Sequence, residues 1–352
     1  MFPSVGLITI ARRLKAPTFR CTFKSSPISS FHSSASSNDE WANFGTWDDR
    51  IQEPILLKQS IKHGVPIPHV SLEHAGLASI VGRRKVNEDR ILLKELEADI
   101  LCFGIFDGHA GALAAEFTKE HLVECIHSHL SKEHDLQKVL EAAFLDVNKK
   151  LSEHISGLAQ KQSASVKHSG TTATVCLLRN GNELALGHVG DSRAILFRDG
   201  QAIRMTTDHD PEYNHTEKER IIECKGFITS NSLGTPLVNG VLTMTRSIGD
   251  FYLKQYGVIA TPETRSIKVK HGHDSFLLLI TDGVHFSMSD GEICDTIRKC
   301  HTPQQAATTL TDQAIQYGSD DNASVIVIPF GQWGKDSSTT LIPALRWQGR
   351  GG

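Results

Sequence analysis

Residues 172–205 read TATVCLLRNGNELALGHVGDSRAILFRDGQAIRM. Two short apolar runs, 172–178 and 183–189, flank Asn180-Gly181, and two more, 193–197 and 201–205, flank Asp199-Gly200. Both dipeptides tolerate the positive φ of tight hairpin turns, so the stretch predicts four sequential strands in an antiparallel meander. Outward from it, the apolar runs 101–106, 276–280 and 324–328 predict buried strands. Stretches 112–130 and 136–155 carry apolar residues every three or four positions and predict long amphipathic helices. Further helix starts are marked by Thr216 with Glu219, by Ser289 with Glu292 and by Thr302-Pro303 with Gln305. Strands in runs with helices between the runs predict an α+β fold with stacked antiparallel sheets.

The whole chain has 352 residues, 39% hydrophobic and 22% charged, ordinary globular composition. No apolar run approaches the roughly 20 residues that cross a bilayer, so no transmembrane helix and no membrane partner are expected. The seven cysteines form no C-x-x-C pair, and several lie in apolar runs as small core residues in a reducing compartment would. Residues 1–38 hold nine serines, five basic residues and no acid, the composition of a mitochondrial transit peptide. Without the five positive charges of that leader the formal charge falls from −3 to −8. An acidic mature chain argues against nucleic-acid binding, which depends on basic contacts to phosphate. Residues 39–70 read as an irregular extension, 71–330 as one continuous domain, and 331–352 as a loose tail.

Three aspartates stand at strand ends: Asp107 after 101–106, Asp282 after 276–280, and Asp321 before 324–328. A carboxylate there projects into a cleft while the ladder fixes its backbone. All-oxygen donors suit hard cations such as Mg²⁺ and Mn²⁺, and no His/Cys grouping invites zinc or copper.

Arg84 to Asp89, Phe106-Asp107-Gly108-His109-Ala110-Gly111, Ser169-Gly170-Thr171-Thr172-Ala173, Val189-Gly190-Asp191-Ser192-Arg193, Thr245 to Asp250, Thr281-Asp282-Gly283 and Asp321-Asn322 follow one another in order. This series resembles the type-2C, metal-dependent serine/threonine protein phosphatases. The resemblance implies two stacked sheets flanked by helices on both sides, and two Mn²⁺ or Mg²⁺ ions. Asp107 would bridge the ions, the Gly108 carbonyl would ligate one, and Asp282 and Asp321 would hold the other. Glu88 and Asp89 would accept hydrogen bonds from metal-bound waters. Arg84 would grip the substrate phosphate with its guanidinium fork. His109 would protonate the departing serine or threonine oxygen, while a metal-bridging hydroxide attacked phosphorus without a covalent phosphoenzyme. The stretch from Asn43 to Pro68 and Phe330-Gly-Gln-Trp-Gly334 are similar to mitochondrial members that act on the branched-chain α-ketoacid dehydrogenase complex. That likeness implies a matrix location and a phosphoprotein substrate in that complex.

Two departures from the family pattern are visible. Asp191 matches a ligand of a weaker third ion, but Phe286 occupies the place of its second carboxylate. That gap motivates the alternative of a phosphoprotein-binding pseudophosphatase; a metallohydrolase acting on nucleotides is a further one, disfavoured by the acidic charge. Lys225-Gly226 stands where a Gly pair is common, and a positive φ at Lys225 would cost about 1 kcal/mol. Residues 230–240 are expected to form a flap beside the site.

Overall fold

The computed structural model describes residues 68–97, 99–159 and 164–335. The expected leader, nearly all of the expected extension, and residues 336–352 of the expected tail lie outside them.

Two five-stranded antiparallel sheets dominate. The first carries, edge to edge, β1 (Gly76–Ile80), β15 (Ala323–Pro329), β14 (Asp274–Ile280), β8 (Arg193–Arg198) and β9 (Gln201–Arg204). The second carries β13 (Glu263–Lys268), β7 (Glu183–Val189), β6 (Ala173–Arg179), β3 (Ile100–Phe106) and β2 (Arg90–Glu97). Their facing side chains, Phe103, Ile105, Leu184 and Leu186 from one and Leu196, Leu277, Leu279 and Ile326 from the other, form one intersheet core. Each outer face is covered in turn. Helices Leu113–Leu130 and Leu136–Ala159 pack on the second sheet, and helices Asp290–Arg298 and Pro303–Gln316 on the first. The expected α+β sandwich with helices on both sides is therefore what the chain forms.

The expected meander is corrected in one respect. Its two hairpins form, with Asn180 at φ 52° and Asp199 at φ 49° in the turns. They belong to opposite sheets, however, because the inward residues of β7 and β8 face one another across the core instead of flanking one another. The chain crosses between sheets at Gly190–Ser192, where Gly190 O accepts from His209 N at 2.9 Å and Gly190 N donates to His209 Nδ1 at 3.1 Å.

Helix starts largely follow the local signals. Ser289 and Glu292 complete a capping box, and Thr302 caps a helix whose first residue is Pro303. The helix His215–Glu223 is capped by Asn214, which accepts from Glu217 N, and not by Thr216. Asn214 stands directly before the first helical residue and so takes the donor that Thr216, already inside the turn, cannot. Packed chain continues past Phe330: Trp333 is buried 5.8 Å from the Phe276 ring. Cys102, Cys125, Cys176, Cys294 and Cys300 are buried, as small core residues are, and Cys224 is exposed.

Candidate active site

Register places the chemistry at one end of the sandwich. Phe106, which precedes Asp107, pairs with Arg90, directly after Asp89. Ala173 pairs with Val189, just before the crossover that carries Asp191. In the other sheet Ile280 pairs with both Val325 and Arg193, and Ala323 with Ile80. Asp282, Asp321, Asp191 and the loop from Val81 to Asp89 are thereby gathered with Asp107. They open on a cleft of about 850 Å³ lined by Arg84, Glu88, Asp107, Gly108, His109, Asp191, Asp282 and Asp321. Every site residue named from the sequence lines this cleft except Asp89, which lies buried beneath it.

Close backbone packing makes the convergence possible. A Cβ on Gly283 would stand 1.9 Å from Asn322 O, so only glycine lets the strand end bearing Asp321 approach the turn bearing Asp282. Asn322, for which no role was expected, then fastens the Arg84 loop. Its Nδ2 donates to Val81 O at 2.8 Å and Val86 O at 3.1 Å, and its Oδ1 accepts from Glu88 N at 2.8 Å. Asp107 is fixed through Thr172, whose N donates to Asp107 O at 2.9 Å and whose Oγ1 accepts from Asp107 N at 3.0 Å. The same Oγ1 lies 2.8 Å from Ser192 Oγ, joining the ends of the two sheets.

The carboxylates repel one another. Burial, then the charges of Asp282, Asp89 and Asp191, hold Asp107 well above the usual carboxylate range. Burial and Asp282 push Asp191 up to about 7. Asp89 is also pushed up to about 7 by burial, with Asp282 and Asp321 adding to the shift against bonds from Ser324 and Thr281. Ser324 Oγ and Thr281 Oγ1 donate to Asp89 Oδ2 at 2.6 and 3.1 Å, while its buried Oδ1 has no partner among the described residues. An all-oxygen set under mutual repulsion, with an unsatisfied buried acceptor beside it, fits hard divalent cations. Among the described residues no three His, Cys, Asp or Glu side chains are gathered into a ready ion-binding group. Asp321 is engaged by Arg84, whose Nη2 lies 2.6 Å from its Oδ2.

His109 Nε2 lies 3.0 and 2.9 Å from the two oxygens of Asp250. Burial alone would lower the His109 pKa, but Asp250 more than offsets it and the net shift is upward. Asp250 had no role in the sequence reading; its place in the Thr245 to Asp250 motif was the available signal. Asp191 is anchored through its carbonyl, 2.9 Å from His285 Nε2, and Phe286 beside it is 87% exposed and offers no oxygen to a third ion. Lys225 has φ 63°, the conformation for which glycine is favoured. The expected flap, 230–240, holds the last residue of β10 (Ile228–Ser230) and all of β11 (Pro236–Val238), which pair as a ribbon, and Val241 to Met244 just after it line the cleft.

The family model described as Protein phosphatase 2C matches residues 74–323. The chain belongs to the protein phosphatase 2C family. This phosphatase is 52% identical over 301 residues to "Protein phosphatase 1K, mitochondrial" of Xenopus laevis, across 86% of the present chain and 80% of the frog protein. Its fold is shared with a C. elegans sex determining protein, at TM-score 0.67 and 23% identity, covering 75% of this chain and 66% of the nematode one. A serine-threonine phosphatase 2C from Toxoplasma gondii superposes at TM-score 0.64 and 22% identity, over 73% and 94% of the two chains. The protein is a serine/threonine phosphatase of the metal-dependent type, and the turnover-free alternative is not favoured. Among the described residues no helix is long and apolar enough to cross a membrane.

Proposed function

We propose that this phosphatase removes phosphate from phosphoserine and phosphothreonine of mitochondrial matrix proteins, with the branched-chain α-ketoacid dehydrogenase complex, through its E1 subunit, as its substrate. The observation that carries the chemistry is the gathering of Asp107, Asp282, Asp321, Arg84 and His109 around one cleft from distant parts of the chain. The location is supported by the acid-free, Ser-rich residues 1–38, read as a transit leader, and by the mitochondrial designation of the frog relative.

Asp107, the Gly108 carbonyl, Asp282 and Asp321 would hold a pair of Mn²⁺ or Mg²⁺ ions, with Asp191 a weak contributor to a third. Bound there, the ions supply an acidified water as nucleophile and neutralise charge on the attacking and leaving oxygens. Glu88 orients the turn at Gly111, whose N donates to Glu88 Oε2 at 3.1 Å, and both it and Asp89 present acceptors to ordered water. Arg84, on the rim, exchanges its carboxylate partner for phosphate oxygens. His109 gives its proton to the departing oxygen.

The protein should release inorganic phosphate from a phosphoserine peptide and from phosphorylated dehydrogenase complex, and not from nucleotides, with Mn²⁺ or Mg²⁺ present. Turnover that persists in Asp107→Asn would remove the carboxylate reading. Hydrolysis of peptide without hydrolysis of the phosphorylated complex would remove the substrate assignment alone.

A further inference from the structure

A second small sheet lies under the cleft, made of β4 (Gly108–His109), β5 (Gly170–Thr171) and β12 (Ile248–Gly249). Its register sets His109, Gly170 and Gly249 in one row, since His109 pairs with Gly170 and Gly170 with Gly249. Asp250 follows at φ 48° and is fully buried. From there its carboxylate reaches across Gly170 to His109 Nε2, at 3.0 and 2.9 Å. A Cβ on Gly170 would stand 2.1 Å from Asp250 Oδ2 and 2.4 Å from His109 Nε2, so the missing side chain is the space in which the two groups meet.

Ser247 holds the carboxylate, and the backbone that carries it is fixed from several sides. Ser247 Oγ donates to its Oδ2 at 2.7 Å, Asp250 N donates to Ser169 O at 3.2 Å, and Gly249 N donates to Asn148 Oδ1 at 3.0 Å. Lys254 Nζ donates to Ser247 O at 2.7 Å, closing the turn. An imidazole bonded through one nitrogen to a buried, fixed carboxylate keeps one tautomer and one ring orientation.

We propose that Asp250 is the positioning residue for the leaving-group acid: it accepts the hydrogen bond from Nε2–H of His109 and so leaves Nδ1 as the nitrogen that serves the substrate. His109 enters the step as the imidazolium, with Nε2–H donated to Asp250 and the second proton on Nδ1. As the bond from phosphorus to the seryl oxygen breaks, that oxygen takes the Nδ1 proton and a neutral imidazole is left, its Nε2–H still donated to Asp250. The role parallels the carboxylate of a Ser-His-Asp triad, which fixes the tautomer without taking the proton. Gly170 is part of the same device. The proposal rests on the general-acid reading of His109, and the experiment separates the two.

The test compares Asp250→Asn, Gly170→Ala and His109→Ala with the parent protein on a phosphoserine peptide, whose leaving group needs a proton, and on 4-nitrophenyl phosphate, whose leaving group does not. Asp250→Asn should lower kcat on the peptide by about 100-fold and on the aryl ester by about 3-fold at most, with the Mn²⁺ activation constant and Tm near the parent values. Gly170→Ala should show the same split through intrusion of its methyl group. The double variant His109→Ala/Asp250→Asn should be no slower on the peptide than His109→Ala. If His109→Ala shows the split and both Asp250→Asn and Gly170→Ala slow the two substrates equally, or not at all, the positioning role is overturned and the general acid stands. If His109→Ala itself shows no split, the general-acid reading fails and takes the proposal with it.

Discussion

Arg84 Nη2 lies 2.6 Å from Asp321 Oδ2, so the guanidinium expected to hold phosphate is paired with a carboxylate expected to hold a cation. Both side chains are well exposed, at 59% and 38%, which makes the pair cheap to exchange, about 1 kcal/mol or less. Cation binding at Asp321 and phosphate binding at Arg84 thus draw on one contact, and each releases a partner for the other.

Arg84→Ala should therefore raise KM for a phosphopeptide by about 10-fold or more, the worth of a charge-assisted hydrogen bond, with no loss of Mn²⁺ affinity. Steady-state kinetics across a Mn²⁺ series reads both quantities. An unchanged KM would remove the phosphate-gripping role.

Burial, and after it the charge of Asp282, pushes the pKa values of Asp107, Asp89 and Asp191 upward, a burden on the fold that divalent cations relieve. Saturating Mn²⁺ at neutral pH should raise Tm by about 3 °C or more over the chelated protein, through preferential binding to the folded state. Asp107→Asn should melt higher than the parent in chelator and gain little from Mn²⁺. Differential scanning fluorimetry decides, and equal gains in the two proteins would contradict this assignment.

A second charge cluster, centred on Glu217, governs acid stability. Burial alone would raise Glu217, but bonds from Arg220, Arg246 and Thr245 hold it far below the usual carboxylate range. A depressed folded-state pKa gives stability that is present above the unfolded value and lost as pH falls through the acid range. Denaturant unfolding should show Glu217→Gln destabilised by about 3 kcal/mol at pH 7, since it leaves two guanidinium groups without their carboxylate. The deficit should shrink steadily below pH 5; a constant deficit would show that Glu217 does not titrate in this way.

Lys225, at φ 63° after the helix His215–Glu223, holds a conformation that costs a residue with a Cβ about 1 kcal/mol. Lys225→Gly should stabilise the protein by up to that amount, or about 2 °C in Tm, without changing kcat. A lower Tm would mean that the lysine stem contributes packing of its own.

Local chemistry was the legible part of the sequence. The Asn180-Gly181 and Asp199-Gly200 turns, the Ser289 and Thr302 caps and the strand-end aspartates all depend on neighbours within a few residues. What depends on distant chain was not legible. The division of the two hairpins between opposite sheets turns on which faces meet across the core, and the burial of Trp333 on a ring from β14. Asn322 as the clasp of the Arg84 loop, Gly283 as a contact point and Asp250 as the partner of His109 are relations between residues tens to hundreds of positions apart. The Asn214 cap differs in kind, being a local signal that the more familiar Thr216/Glu219 pattern obscured.

The most direct measurement is anomalous diffraction at the manganese edge from crystals of the protein grown with Mn²⁺. The account predicts two peaks about 3.5–4 Å apart with the Asp107 carboxylate between them, Asp282 and Asp321 ligating, and Arg84 withdrawn from Asp321. Peaks elsewhere on the chain, or none within ligating distance of Asp107, would contradict it.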